Sequence, residues 1–244
     1  MSGGAARGLA HAGVYRYLLE KGLEVAAVAG SSAGAVVGAF AAAGYSPEEM
    51  VSLALSVKPL SVFRPQIPPK RSLFKNEPVL EFFRRHLPER FEELEVPFFV
   101  SATDLLSGEA VVLSEGPLPE AVMASAALPP FFEPVELGGR LLNDGGFSND
   151  LPVEPLLKRD CFRVCVDVTP LEPTDAPGNW AEITLRTFLI AVRAHKAAKY
   201  PLCDLLIVPE LKGLGFLNYK RVKEYVEVGY RAAEKAFGQL LSNS

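Results

Sequence analysis

The residues best suited to chemistry are a serine framed by glycines, Gly30-Ser31-Ser32-Ala33-Gly34. This run fits the Gly-x-Ser-x-Gly nucleophile elbow, in which the serine stands on a sharp turn between a strand and a helix. Glycine at positions 30 and 34 removes side chains that would collide across the turn. Amides at the start of the following helix can stabilise negative charge on a carbonyl oxygen. The spacing therefore predicts Ser32 as the nucleophile of an acyl transfer.

The base that would activate Ser32 is less evident, because a serine hydroxyl needs a neighbour to take its proton. The chain has three histidines, His11, His86 and His195. The order Ser32, Asp144, His195 would suit an α/β-hydrolase triad. However, the pattern around His195 is that of the middle of a helix. His11 falls in the first predicted helix, and His86 ends an amphipathic one. We therefore expect the histidines to be structural or to face solvent.

Two further clusters consist mainly of small residues. Residues 2–8 form a loop before a helix, and its backbone amides could bind a phosphate or supply oxyanion-hole donors. A dinucleotide site requires Gly-x-Gly-x-x-Gly after a strand, whereas Ala5 replaces the middle glycine here and no strand precedes the loop. The second cluster is Asp144-Gly145-Gly146, in which Asp-Gly by itself marks only a turn.

The elements that must position these clusters follow an α/β pattern. Apolar spacing, caps and glycine stops predict helices at 9–21, 32–43, from Ser46 onward, and at 119–125, 180–199 and 219–241. Short apolar runs predict strands at 24–29, 98–103, 110–113, 163–168 and 205–208. No repeat or low-complexity linker divides the chain, so we expect one domain over residues 1–244.

Composition and charge limit the classes of function. The chain has 244 residues, 49% of them hydrophobic, which is enough for a full core. A net charge of -4 lacks the basic excess that nucleic-acid binding requires. Cys161, Cys165 and Cys203 lack the spacing of a metal site, so we expect buried free thiols and no metal. No secretory signal pattern opens the chain, which predicts a cytoplasmic location.

A proline-rich stretch at 58–75 is predicted to be irregular. It combines apolar Phe63, Ile67, Leu73 and Phe74 with basic Arg64, Lys70, Arg71 and Lys75. That mixture suits peripheral, transient contact with a membrane surface that carries anionic headgroups. It also suits a packed surface loop with solvated charges, and both interpretations stay open.

The clusters, in this order, resemble the patatin-like phospholipases, especially the small bacterial single-domain members. The segments that carry the resemblance are 3–13, 30–34, 102–105, 107–109, 124–129, 144–147, Asn149 and 151–153. The resemblance implies a three-layer α/β/α fold with a mostly parallel central sheet. It also implies a serine and aspartate dyad without histidine, in which Ser32 attacks the ester carbonyl and Asp144 accepts its proton.

The resemblance extends to the residues around the dyad. It implies that the amides of Gly3, Gly4 and Ala5 line the oxyanion hole, with Arg7 beside them. It assigns no chemistry to Asp104, for which we expect a structural role. An aspartate of ordinary pKa, about 3.9, is a poor base for a hydroxyl, so a working dyad requires a partly desolvated site.

The implied activity is cofactor-free and metal-independent hydrolysis of acyl-lipid esters, with phospholipid or lysophospholipid as substrate, through an acyl-enzyme. A short-chain esterase or thioesterase is an alternative, and so is a lipid-binding regulatory protein with little turnover. Two features depart from the family pattern. Ala5 stands where relatives usually carry glycine, and the short apolar strand that precedes their glycine loop is reduced to almost nothing here. Adding apolar residues before Met1 should therefore raise stability and activity.

Overall fold

The computed structural model describes residues 1–69, 71–171, 173, 176–216 and 218–242. The helices are α1 (Ala10–Glu20), α2 (Ala33–Ala42), α3 (Pro47–Ser56), α4 (Pro59–Val62), α5 (Glu77–His86), α6 (Leu118–Ser125), α7 (Gly146–Asn149), α8 (Trp180–Ala197) and α9 (Val222–Ser242). The strands are β1 (Val28–Ser31), β2 (Phe98–Asp104), β3 (Ala110–Leu113), β4 (Val135–Leu137), β5 (Arg140–Asp144), β6 (Val164–Val166) and β7 (Leu205–Ile207). Single 3-10 turns occur at Ala5–Leu9, Phe91–Glu93, Glu154–Leu156, Tyr200–Leu202 and Tyr219–Arg221.

The strands form a central sheet and a smaller sheet, with helices packed around them. β1 pairs with β2 in parallel, whereas β2 pairs antiparallel with β3 and β5, and β5 with β4. The parallel pair β6 and β7 forms the smaller sheet. The predicted α/β class is confirmed, but the pairing is mixed rather than mostly parallel. One antiparallel pair has a local cause, since Gly138 and Gly139 have φ of 58° and 73° and close a two-residue hairpin between β4 and β5.

Most predicted helices occur within a few residues of their expected ends. Ser46 caps α3 through a capping box with Glu49, and Pro47 occupies the first helical position. The 58–75 stretch corrects one expectation, because it contains the short helix α4, which begins at a proline that fits a first helical turn. Lys70 of that stretch lies outside the described residues.

Residues Met1 and Ser2 lie between the two sheets. The Met1 ammonium donates to the Ala29 carbonyl at 2.9 Å, and the Ser31 amide donates to the Met1 carbonyl at 3.2 Å. On the opposite side, the Ser2 amide donates to the Val166 carbonyl at 3.0 Å. The start of the chain therefore connects the edge of β1 to the edge of β6.

An apolar cavity of about 630 Å³ opens beside Met1, between the edges of β1 and β6. Its walls include Tyr17, Leu18, Val25, Phe162, Val164 and Phe237. Phe162 is 53% exposed, so part of this apolar surface contacts water. We name this space the edge cavity.

Helices α1 and α9 cross in close contact. A Cβ atom at Gly13 would lie 1.8 Å from the Val226 carbonyl oxygen, and one at Gly229 would lie 2.0 Å from the Ala10 carbonyl oxygen. Glycine at both positions therefore lets the two backbones touch. Because α1 follows the glycine-rich loop directly, this crossing anchors the loop at its C-terminal end.

The cysteines correct another expectation. Cys165 in β6 and Cys203 before β7 form a disulfide with Cα atoms 5.7 Å apart, whereas Cys161 is free and half-buried. The two bonded residues are 38 positions apart and become neighbours because β6 pairs with β7. No local spacing signals such a pair. Over the described ranges, no helix is both long and apolar enough to cross a bilayer.

Candidate active site

Ser32 occupies a strained turn between β1 and α2. Its backbone has φ of 51° and ψ of -122°, a conformation that L-residues rarely adopt and that recurs at functional sites. The flanking glycines permit the turn, since a Cβ atom at Gly30 would lie 2.4 Å from the Gly34 carbonyl oxygen. A Cβ atom at Gly34 would lie 2.5 Å from the Ser2 carbonyl oxygen. The elbow is thus packed against both its own turn and the start of the chain.

Asp144 ends β5 and meets Ser32 above β2. The strand register places Ser31, directly before Ser32, opposite Ser101 of β2, and Asp144 opposite Ala102 of the same strand. Ser32 and Asp144 therefore lie close together, on either side of β2. The Ser32 hydroxyl donates to Asp144 Oδ2 at 2.7 Å. This distance is within the range at which a carboxylate can accept the serine proton.

The Asp144 carboxyl group is buried and oriented. Burial raises its pKa from the usual value to about 7, while the hydrogen bonds from Ser32 and from the Gly146 amide oppose that rise. The Gly146 amide donates to Oδ1 at 2.8 Å, so each carboxyl oxygen has its own donor. A base with a pKa near neutrality matches proton transfer at physiological pH.

Hydroxyl groups hold the backbone on both sides of the dyad. Ser125 Oγ accepts from the Ser32 amide at 2.8 Å and donates to the Ser101 carbonyl at 2.6 Å. Thr103 Oγ1 donates to the Asp144 carbonyl at 2.8 Å. These bonds tie the elbow and the end of β5 to the central strand β2.

The glycine-rich loop passes directly over Ser32. A Cβ atom at Gly3 would lie 3.1 Å from Ser32 Cβ, and the Gly3 amide donates to Asp150 Oδ1 at 3.0 Å. The Gly3 amide hydrogen is therefore bonded to a side chain, whereas we expected this amide to line the oxyanion hole. Gly4 and Ala5 line the cavity above Ser32, and Ala5 has a φ of 47°, in the left-handed region that glycine adopts readily.

Arg7 lies behind the cavity wall. Its Nε donates to the Leu214 carbonyl at 3.2 Å, and its guanidinium stands 3.7 Å from the centre of the Phe216 ring. Phe216 lines the cavity. Arg7 is therefore positioned to fix this aromatic wall as well as the loop.

The cavity above Ser32, which we name the acyl cavity, has a volume of about 570 Å³. Its aromatic lining comprises Phe63, Phe74, Phe83, Phe131, Phe132, Phe188, Phe216 and Tyr219. Two of these residues belong to the 58–75 stretch, whose backbone bonds to Pro130 and Phe131 through the amides of Leu73 and Phe74. That stretch is therefore packed as one wall of the cavity, and Ile67 at its tip is 86% exposed.

The histidines and Asp104 behave as expected. His11 is buried, with Nε2 2.8 Å from the Ser2 carbonyl, and burial lowers its pKa to about 3. His195 is exposed on α8, and the ring of His86 packs on Phe82. Asp104 accepts from the Leu106 amide at 3.0 Å and pairs with Arg140 at 3.2 Å, a structural arrangement.

Sequence reasoning missed a buried charged group next to the loop, formed by Asp150 and Lys196. Lys196 lies on the inward stripe of α8 after Leu185, Leu189 and Val192, where the spacing predicts an apolar residue. A lysine at an inward-facing position of a helix indicates a buried partner, and this signal was present in the sequence. Over the described ranges, no group of three or more potential ligand residues could hold a metal.

Comparisons with known proteins show what this chain is similar to. An uncharacterised NTE family protein of Mycobacterium tuberculosis is 39% identical over 160 residues, which cover 64% of this chain and 44% of that protein. A second one is 31% identical over 267 residues, covering 97% and 45%. Lysophospholipase NTE1 of Kluyveromyces lactis is 26% identical, covering 94% and 18%. The chain thus spans less than half the length of these relatives.

The crystal structure of VipD from Legionella pneumophila aligns with 98% of this chain and 66% of its own, with a TM-score of 0.57 and 15% identity, which shows a shared fold. The family model of patatin-like phospholipases matches residues 1–157. That match covers more than half of the sequence and includes Ser32, Asp144 and the glycine-rich loop. The chain therefore belongs to the patatin-like phospholipase family.

Proposed function

We propose that this chain is a serine acyl hydrolase that cleaves carboxylic esters of lipids, in the manner of a phospholipase A or lysophospholipase. The observation that carries the proposal is the 2.7 Å hydrogen bond from Ser32 to a buried Asp144 at the floor of an apolar cavity. A hydroxyl paired with a base of raised pKa is the arrangement that activates a nucleophile.

The reaction would proceed in two steps. Ser32 Oγ attacks the ester carbonyl as its proton passes to Asp144, and collapse of the tetrahedral intermediate gives an acyl-enzyme and an alcohol that takes this proton. Water then attacks the acyl group, and Asp144 removes a proton from it. Collapse of the second intermediate releases the carboxylic acid and restores the Ser32 hydroxyl. No cofactor or metal enters either step.

The negative oxygen of each intermediate needs donors close to Ser32. The amides of Gly4 and Ala5 and the N-terminal end of α2 are the candidates, because they border the cavity beside Ser32. Gly3 and Arg7 would contribute by holding the loop rather than by donating to substrate. Both have other partners in this structure.

The acyl cavity supports an apolar substrate. Its aromatic walls and its volume of about 570 Å³ suit the chain of a fatty acid. A short-chain esterase or thioesterase would use the same dyad with a shorter acyl group. A lipid-binding protein with little turnover would use the cavity alone, and the paired Ser32 and Asp144 favour catalysis over that alternative.

The tip of the 58–75 stretch supports transient contact with a lipid surface. Ile67 is 86% exposed, Arg64 and Arg71 are also exposed, and the same stretch supplies Phe63 and Phe74 to the acyl cavity. A chain drawn from a bilayer could therefore enter the cavity beside this tip. A cytoplasmic protein with this feature would bind the membrane peripherally.

The test is hydrolysis by the purified protein, in the presence of a chelator, of nitrophenyl esters of graded acyl length, phosphatidylcholine and lysophosphatidylcholine. Ser32→Ala and Asp144→Asn should each lower kcat by at least about 10³-fold. Asp104→Asn, at a structural carboxylate, should retain most of the turnover. With vesicles, Ile67→Ser and Arg71→Glu should raise KM, with no such effect on soluble esters.

The substrate profile separates the alternatives. Preference for long acyl chains and phospholipid supports the proposal, and preference for short esters supports an esterase. Turnover that survives Ser32→Ala would overturn the mechanism. Binding of lipid without turnover of any ester would favour the lipid-binding role.

A further inference from the structure

The carboxylate of Asp150 contacts the glycine-rich loop from behind. Its Oδ1 accepts the Gly3 amide at 3.0 Å across 147 positions of sequence. A Cβ atom at Gly3 would lie 2.6 Å from the same oxygen and 3.1 Å from Ser32 Cβ. Gly3 therefore lies directly beside both Asp150 and Ser32.

Lys196 of α8 organises the groups that hold Gly3. Its side chain is 4% exposed, and its ammonium lies 3.3 Å from Asp150 Oδ2. It also donates to Asp167 Oδ1 at 2.8 Å and to the Thr169 carbonyl and hydroxyl at 2.7 and 2.8 Å. The Thr169 hydroxyl in turn reaches the Gly3 carbonyl at 3.4 Å. The Gly3 carbonyl also accepts from the Ser2 hydroxyl at 3.1 Å. The buried ammonium thus binds one partner of each polar group of Gly3.

A buried ion cluster needs a reason, because desolvation offsets much of the attraction between its charges. Stability alone is a weak reason, since apolar residues of similar size would fill the same space as well. The location of the cluster beside the glycine-rich loop is a stronger reason for its presence. The cluster meets the loop at Gly3, directly before the Gly4 and Ala5 amides that border the nucleophile.

We infer that Asp150, held in place by Lys196, is a positioning residue that fixes the Gly3 peptide and so aims the Gly4 and Ala5 amides at the oxyanion. This inference rests on the proposed function and adds to it the part that keeps the oxyanion hole formed before substrate arrives. Preorganised donors stabilise developing charge because they need no reorientation during the reaction.

Asp150 also faces the catalytic carboxylate. A Cβ atom at Gly146 would lie 3.0 Å from Asp144 Oδ1 and 3.2 Å from Asp150 Oδ1, so the two carboxylates flank one glycine. The charge of Asp150 contributes to the raised pKa of Asp144. The other charged groups that face Asp150 are Lys196, Asp167 and the Met1 ammonium.

The test compares Asp150→Ala with Asp150→Asn. Asp150→Ala removes the acceptor, and we expect kcat on a soluble nitrophenyl ester to fall about 10²-fold with KM within about threefold, the size expected when oxyanion donors are lost. Affinity for a trifluoromethyl ketone with the same acyl chain should fall by the same factor. Asp150→Asn keeps an oxygen for the Gly3 amide, so kcat should stay within about fivefold and the acid limb of the pH profile should move to lower pH.

The contribution of Lys196 is tested by a double-mutant cycle. Lys196→Met should lower kcat in the wild-type background and much less in the Asp150→Ala background, because the positioned carboxylate is then already absent. Independent effects of the two substitutions would overturn the part assigned to Lys196.

Phe91→Leu serves as the control, because Phe91 is a buried core residue that packs on Phe98 and does not line the acyl cavity. It should lower thermal stability without changing kcat or the affinity for the ketone. A folded Asp150→Ala protein with unchanged kcat and ketone affinity would overturn the inference. The inference would also be overturned if Phe91→Leu, at the same loss of thermal stability, lowered kcat and ketone affinity as much as Asp150→Ala does.

Labelling of Ser32 by a fluorophosphonate separates this inference from the proposed function, because it needs no turnover of a lipid. Labelling that slows in Asp150→Ala but not in Asp150→Asn, in a protein that hydrolyses no ester, would sink the proposed function and support the positioning role. Absence of both labelling and hydrolysis in the wild-type protein would overturn both.

Discussion

At the scale of single residues, Asp144 meets two opposing requirements. In the proposed mechanism it must be ionised to accept a proton, yet the fold buries it. Burial raises its pKa to about 7, and the hydrogen bonds from Ser32 and Gly146 keep the rise from going further. A base that is half ionised near neutrality is matched to the proton it must take.

The pKa of Asp144 predicts how activity and stability change with pH. Its pKa in the folded protein lies above the unfolded value of about 3.9, so the folded protein holds the extra proton between about pH 4 and 7. Stability should therefore fall as pH rises through this window, whereas kcat/KM should rise.

Asp144→Asn removes this conflict. It should abolish turnover and give a higher free energy of unfolding than the wild type at about pH 8. At about pH 5 this difference between variant and wild type should be smaller by on the order of 2 kcal/mol. Urea unfolding at the two pH values measures it. An advantage that is the same at both would mean that Asp144 does not titrate as described.

At the scale of elements, the crossing of α1 and α9 anchors the helix that follows the glycine-rich loop. Gly229 of α9 approaches the Ala10 carbonyl so closely that an added Cβ atom would lie 2.0 Å away. Gly238, on the same helix, has nothing within 4 Å of such an atom. Position 229 therefore has no room for a side chain, whereas position 238 does.

We expect Gly229→Ala to lower the free energy of unfolding by about 2 to 3 kcal/mol, because the helices must move apart. Gly238→Ala should raise it by about 0.5 to 1 kcal/mol through helix propensity alone. Denaturant unfolding of both variants measures the difference. Equal changes in the two variants would contradict the close crossing.

At the scale of the whole molecule, the first residues of the chain bond to both sheets. Met1 and Ser2 bond to β1 on one side and to Val166 of β6 on the other. Beyond them lies the edge cavity of about 630 Å³, and burial lowers the pKa of the Met1 ammonium to about 5. A buried amine at the end of an apolar cavity is less stable there than a peptide group would be.

A five-residue apolar segment added before Met1, rich in valine and isoleucine, should pair with both strand edges and fill the edge cavity. We expect the Tm to rise by roughly 4 to 8 °C, as for about 2 kcal/mol in a protein of this size, and turnover to rise with it. A glycine and serine segment of equal length is the control, because it also converts the amine to a peptide group. Equal Tm values for the two extended proteins would contradict the pairing.

Local features of the site could be predicted from sequence because they depend on neighbouring residues. The glycines that Ser32 requires stand two positions away, and the cap of α3 lies within one turn. The hairpin of β4 and β5 was equally local, since Gly138-Gly139 is a two-residue turn signal, but the prediction missed it. Asp144 was assigned through the family resemblance, because the residue types alone left a histidine base open.

By itself, the sequence determined the elbow, most of the helices, the strands other than β4 and β5, and the family, since turn conformation and apolar period depend on residues close together in the chain. The tertiary structure decided the rest. It brought Asp144 to Ser32 across 112 positions and Asp150 to Gly3 across 147, and it joined Cys165 to Cys203. Such pairs form because strand register and helix packing bring distant segments together, and no spacing rule encodes those distances.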